Sequence, residues 1–413
     1  MKLKYTFYII CLMLTCFAFF LQISPEVATP FLSMFMDIPT LKVVDYTSLF
    51  LISYGLMQIP NGIVLDKYGI KVFPLYALLV VTGLAIFWVS PNKTTLILRE
   101  IFTGIGSSIA FIAAVYIATQ AFGMRYRALF IALASVFGSL GAILSTSAYE
   151  SLITHTSWSQ SIFCLLIFAI LILIVSVAIL LKMKVKKPGN INYNLKQNLK
   201  AVLKNKLILS VYAYTFFTWM VMMSFAGYWD KIYFETVHHL SIYKALDITQ
   251  IYWVSYMVFS VLMSFLVKSK KDCFKLIKVL AITNILALTV LALPILYSTH
   301  AIFILALLCG ASTAGITLGF SIITMTVSYK ELGLTASINN CILVLGGFLG
   351  QILYGFIMQH LPEQSLNVLD HTILIENYYF ALFLLPAAAI IACIFIYRGI
   401  NKAAPTTLQH YKP

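Results

Sequence analysis

Apolar runs of about 20 residues, one after another from Tyr5 to Gly399, are the feature that most limits this chain. A run of that length crosses the hydrocarbon core of a bilayer as one helix. The runs are continuous, not alternating, and lipid offers no partner to backbone N–H and C=O groups, so helices are expected and barrel strands are not. Spans are expected at 5–26, 45–65, 72–90, 95–121, 128–150, 160–182, 207–229, 247–267, 274–296, 300–327, 334–360 and 377–399. The expected class is an all-α polytopic membrane protein with twelve transmembrane helices. Charged residues make up only 10% of the 413. A soluble domain carries about 25%, so this chain lacks the means to cover a water-facing surface.

The first run follows Lys2 and Lys4, as in a secretion signal. It is longer than the roughly 7–15 apolar residues of such a signal, and no small-residue cleavage pattern follows, so an uncleaved first span is expected. The net charge of +14 is read as topology, not as a nucleic-acid surface. With the N-terminus in the cytoplasm, the inner loops hold Lys2, Lys4, Lys67, Lys71, Arg125, Arg127, the lysines of 182–206, Lys268, Lys270, Lys271, Lys275, Lys278, Lys330, Arg398, Lys402 and Lys412. The outer set is Lys42, Lys93, Arg99, Lys231 and Lys244. Both termini are therefore placed inside, in the cytoplasmic (inner) membrane.

One long polar interval interrupts the pattern. After Pro188, Gly189, Asn190 and Asn192, the stretch NLKQNLKAVLKNK sets Leu195, Leu199, Val202 and Leu203 at helical spacing among lysines. It reads as an amphipathic helix on the inner leaflet. It divides the chain into 1–182, a basic linker 183–206, and 207–413, with six spans on each side.

The turn after the second run, GIVLDKYGIK, packs Gly62, Asp66, Lys67, Gly69 and Lys71 into ten residues. A turn that only joined two spans would not need this pattern. The stretch resembles the signature loop of the major facilitator superfamily, G-x-L-x-D-R-x-G-x-[KR]. Gly62, Leu65, Asp66, Gly69 and Lys71 match, and Lys67 replaces the usual arginine. The resemblance implies the major facilitator fold, two six-helix bundles each built from inverted three-helix repeats. It also implies a role for Asp66: the carboxylate sits at the start of the eleventh helix, near Gly333, Leu334 and Thr335, where free N–H groups favour an anion. Lys67, Lys71, Arg125 and Arg127 would complete a charge cluster that gates the inner face. The alternative is a solvated turn whose lysines set topology. The repeat implies a second copy of the loop at LVKSKKDCFK, which keeps Asp272 and the basic residues but lacks the glycines.

Arg99 and Glu100 lie inside the fourth span, where charge is costly and marks a pathway or a pair. The family pattern there is R-x-x-x-G-x-G. Gly104 and Gly106 match, Glu100 stands in the arginine's place, and Arg99 comes one position early, about 100° round the helix. Two readings stay open: Glu100 takes a proton while Arg99 meets an anionic group, or both side chains snorkel to the outer interface. Glu26 is an interface residue, or part of a helix broken at QISPEVATP that lines an outer vestibule.

Polar side chains within spans mark a substrate cavity: Tyr54, Gln58, Tyr116 and Gln120 in the first half, and Tyr214, Thr218, Trp219, Tyr256, Thr317, Asn339 and Asn340 in the second. The cysteines show no metal-like spacing and the histidines lie away from mid-membrane, so neither a metal site nor a histidine relay is expected. No Walker loop, HExxH or nucleophile–base set is present, which argues against a pump driven by ATP and against an enzyme.

The expectation is a secondary transporter without cofactor, acting as a monomer. Its partners are a small-molecule substrate, protons and the lipid bilayer, with no nucleic acid. It brings in an amino acid or nucleoside-like nutrient by proton-coupled symport, and is similar to nutrient permeases of intracellular bacteria. The alternative is a proton-coupled exporter of a siderophore or toxic compound. The family's antiporter-type proline is missing from FGSLGAIL, which favours import. A non-transporting sensor would need a soluble domain that the sequence lacks.

Overall fold

The computed structural model describes residues 2–38, 40–122, 124–182, 195–293, 295, 297–328, 331–360 and 380–403. All regular structure among them is helical. In the first part of the chain lie α1 (Lys2–Met36), α2 (Thr40–Thr47), α3 (Leu49–Tyr68), α4 (Phe73–Val89), α5 (Lys93–Ser107), α6 (Ala110–Ala121), α7 (Met124–His155) and α8 (Trp158–Lys182). After α9 (Leu195–Lys204) come α10 (Lys206–Ser224), a π-helical turn (Phe225–Trp229), α11 (Asp230–Thr236), α12 (Ile242–Leu266), α13 (Lys270–Leu291), α14 (Thr299–Thr313), α15 (Gly315–Thr324), α16 (Leu332–His360) and α17 (Leu384–Ala403).

Eleven stretches of the described residues are long and apolar enough to cross a membrane. One of them, Leu49–Val89, holds two helices folded back at the 3-10 turn Gly69–Val72, which makes twelve crossings. Two spans carry a short irregularity in the α-helix, with the backbone there still in the right-handed helical region. The fourth divides into α5 and α6 at Ser108–Ile109, and the tenth divides into α14 and α15 at Ala314.

The alternative of a broken helix at QISPEVATP is not met: α1 runs unbroken past Pro25 to Met36. Pro25 lacks the N–H that would bond the carbonyl of Leu21. The Ser24 hydroxyl donates to that oxygen instead, at 3.2 Å, and the Thr29 hydroxyl donates to the carbonyl of Pro25 at 2.6 Å. Side-chain donors of this kind let a proline sit inside a membrane helix.

The helices group into two compact units, 1–202 with 323–341, and 203–322 with 342–413. In the first, α1 lies against α7 with Gly141 on the backbone of Cys16, where a Cβ would come within 2.8 Å of the Cys16 carbonyl carbon. In the second, α10 meets the later part of α16 and α17 through Gly346, Gly350 and Gly399. Small residues at such crossings bring backbones close, which replaces the hydrophobic drive that lipid removes.

Gly69 ends α3 with φ 66° and ψ −159°. That combination is almost confined to glycine, and a side chain there costs about 1–3 kcal/mol. Gly69→Ala is therefore expected to lower the thermal stability of the purified protein, whereas an alanine at half-exposed Ile70 should not. Equal melting of the two variants would remove the conformational reason for this glycine.

Candidate functional site

The site is built where α3 lies antiparallel to the first part of α16, residues 332–341. These residues fall in different halves of the sequence but in the same compact unit. Contacts recur along α3 at positions 55, 58, 62 and 66, a spacing that keeps one face of the helix on its neighbour.

At one end of this seam stands Asp66. The first N–H groups of α16 have no partner within the helix. The N–H of Leu334 donates to Asp66 Oδ2 at 3.1 Å. Two glycines permit the approach. A Cβ on Gly333 would lie 2.7 Å from Asp66 Cγ, and a Cβ on Gly62 would lie 2.8 Å from the Gly333 carbonyl and 2.6 Å from Ser337 Oγ. Glu331 closes the turn before the helix by accepting from Ser328 Oγ at 3.0 Å.

Lys67 and Lys71 are exposed, and Lys67 Nζ lies over the ring of Tyr68 at 5.1 Å. Among the described residues, no ion pair joins Asp66 to Lys67, Lys71 or Arg127. Arg127 instead donates to the Thr119 carbonyl at 3.3 Å and the Thr324 carbonyl at 3.4 Å, in the last turns of α6 and α15. A cation at helix C-termini and an anion at a helix N-terminus both complement the backbone dipole. The side chains of Glu26 and Arg125 lie outside the described residues.

Further along the seam are amides. Asn340 Nδ2 donates to Gln58 Oε1 at 2.8 Å. Gln58 Nε2 donates to the carbonyls of Tyr54 and Ser108, both at 3.2 Å. Asn61 Nδ2 donates to Ser108 Oγ at 2.8 Å, and the Cys341 thiol faces the Gly55 carbonyl at 3.6 Å. Ser108 lies at the irregularity between α5 and α6, where Gln58 bonds its carbonyl and Asn61 its hydroxyl. Gln58, Asn61, Asn339 and Asn340 are buried, as are Tyr54 and Tyr116, while Gln120 is exposed. Gln58 and Asn340, expected as cavity wall, hold the seam together in this structure. The sequence gives no sign that residues 282 apart would pair.

Arg99 and Glu100 form a buried ion pair in α5, Nη1 to Oε1 at 2.8 Å, with side chains 3% and 1% exposed. The pair does not snorkel. Arg99 Cζ lies 5.5 Å from the Phe87 ring centre, and Tyr149 of α7 is within electrostatic reach of both charges. Arg99 Nε has no partner among the described residues.

In the second unit, the expected cavity residues Tyr214, Thr218, Trp219, Tyr256 and Thr317 are all buried. Trp219 meets Trp253 edge-on and Tyr256 at a tilt, each at 6.3 Å. Thr317 donates to Ser260 at 3.2 Å, and Tyr214 Oη packs on Gly315 just after the irregularity at Ala314. Trp253 and Ser260 were not singled out from the sequence. Their signal is the stripe Trp253, Tyr256, Ser260 at helical spacing on α12. The irregularities fall in the fourth and tenth spans, the same place in each half.

A model of the Major Facilitator Superfamily matches residues 8–351. No curated protein matches by sequence. Among solved structures, FucP, a Major Facilitator Superfamily transporter in the outward conformation, is 16% identical with TM-score 0.74, covering 95% of this chain and 99% of its own. The E. coli fucose:proton symporter FucP, as a single-substitution variant, is 16% identical with TM-score 0.68 and the same coverage. A bacterial homologue of the iron transporter ferroportin, outward-facing, is 12% identical with TM-score 0.76, covering 97% and 100%. At these identities the likeness is one of fold.

Proposed function

This chain belongs to the major facilitator superfamily and is an integral membrane transporter, not an enzyme, and on that premise we propose that it imports a small polar organic nutrient, amino acid or nucleoside-like, by proton-coupled symport. Two six-helix halves, 1–182 and 207–413, joined by 183–206, rock about a central site in the cytoplasmic membrane, with both termini inside. The protein works as a monomer.

The observation that carries this reading is the Asp66 carboxylate on the Leu334 N–H. It is a bond that a rocking motion can break and remake, between residues from the two halves of the sequence. An acid at a helix start is a stable latch when shut and is readily hydrated when open.

Proton coupling is assigned to Glu100. The carboxylate is deeply buried, and its ion-pair partner among the described residues is Arg99. Protonation frees Arg99 to meet an anionic group or to change partner. The name of the fucose:proton symporter, a structural neighbour, is in keeping with this coupling.

Proteoliposomes test the reading. Counterflow of labelled amino acids and nucleosides should find a solute, and an inward proton gradient should drive its accumulation. Glu100→Gln is expected to retain counterflow and lose gradient-driven accumulation. Accumulation that still follows the gradient in Glu100→Gln would remove the residue from coupling.

A further inference from the structure

The amide pair Gln58–Asn340 has a chemistry of its own. Gln58 is fully buried near the middle of α3, and its Nε2 is already committed to the carbonyls of Tyr54 and Ser108. That anchoring fixes Oε1 toward α16, whether or not Asn340 is there. Asn340 presents its Nδ2 to the same point. The Tyr54 side chain lies beside both amides. Among the described residues, no charged side chain bonds either one.

Around the pair, three buried groups have no hydrogen-bond partner among the described residues: Asn61 Oδ1, Ser107 Oγ and Ser337 Oγ. Asn61 is bonded to Ser108, Ser107 precedes it at the α5–α6 irregularity, and Ser337 lies against Gly62. Buried polar groups are normally paired, so these three leave hydrogen-bonding capacity beside the pair that a polar solute or water can take up.

We propose that Gln58 and Asn340 are the solute-recognition pair, closed on each other in this structure. The solute they take is a neutral molecule with a hydrogen-bond donor and acceptor side by side, such as the imide edge of a pyrimidine nucleoside. This deepens the transport reading above and rests on it. When α16 parts from α3, Gln58 Oε1 loses a donor and Asn340 Nδ2 loses an acceptor. An imide edge returns both at once: its N–H donates to Gln58 and its carbonyl accepts from Asn340. A lone ammonium or carboxylate can satisfy only one of the two, and a charged solute would find no counter-charge on the pair. Leaving one buried amide unpaired is what makes such sites selective.

The native Cys341 supplies the reporter, since it is half-buried and next to the pair on α16. In nanodiscs, the rate at which N-ethylmaleimide alkylates Cys341 is read by mass spectrometry with increasing uridine, thymidine, 3-methyluridine or alanine. Uridine and thymidine are expected to change the rate saturably, and alanine to leave it unchanged. 3-Methyluridine, which lacks the N–H, should need at least about tenfold more. Gln58→Leu and Asn340→Leu should each lose the uridine response. The comparison between uridine and 3-methyluridine uses unaltered protein, so it stands even if a variant fails to fold.

No response to either nucleoside, equal potency of the methylated one, or an unchanged uridine response in a folded Gln58→Leu protein would each overturn the proposal. Counterflow separates the two levels. If another solute is carried while these results fail, recognition by the pair is wrong and transport stands. If no solute of any class is carried, the transport reading itself falls.

Discussion

Asp66→Ala is expected to lower solute uptake by about 10- to 100-fold while the protein still reaches the membrane. The bond it removes joins a carboxylate to a backbone N–H of the α16 start. Hydrogen bonds to charged groups contribute about 1.5–3 kcal/mol, and every 1.4 kcal/mol is about tenfold in an equilibrium. The state with the α3–α16 seam shut loses that much population, and a carrier that cannot hold one side shut leaks its cycle. Asp66→Asn keeps an acceptor oxygen and loses the charge, so it should fall between the two. Uptake per molecule at the membrane is the measurement. If Asp66→Ala transports at the full rate, the carboxylate is not a latch, whatever its geometry.

Arg99→Leu is expected to be strongly destabilising. It leaves Glu100 buried, with its ion-pair partner gone. Breaking a buried pair from one side costs about 3–5 kcal/mol, while replacing both members with apolar residues is often close to neutral. The expected pattern is therefore a large fall in melting temperature for Arg99→Leu, with much of it restored in Arg99→Leu/Glu100→Leu. The restored protein should be stable but unable to couple to protons. If the double variant melts no higher than the single one, the arginine matters for packing on Phe87 and not for its charge.

These residues differ in how far the sequence discloses them. Asp66 could be singled out in advance because glycines, acid and lysines sit in a turn that needs none of them, and its partner at the start of α16 because the resemblance to the family implies it. The membrane spans were equally legible, since apolar length alone sets them. Arg99–Glu100 was not settled by spacing. Consecutive residues point about 100° apart on a helix, so neighbours in sequence do not ordinarily face each other. Only the length of the arginine side chain, folded back beside Phe87, brings the charges to 2.8 Å. Gln58–Asn340 was invisible for another reason. Each amide could be seen as expensive in lipid, but which one it meets is decided by tertiary packing. The uninterrupted α1 decides against the alternative of a break there, for a reason the prolines alone do not disclose: a serine one position before Pro25 takes over the freed carbonyl.

Asp272 shows what the repeat has kept and what it has dropped. Its carboxylate accepts from the N–H groups of Lys268 and Ser269 and from the Ser269 hydroxyl, at 3.1, 2.8 and 2.9 Å, as a capping box at the start of its own α13. The equivalent turn therefore finishes its bonding within six residues of itself. Asp66, by contrast, completes its bonding only on a distant segment. The two turns thus differ in what a substitution reaches: a change at Asp272 is confined to the cap of α13, whereas a change at Asp66 is felt at the start of α16.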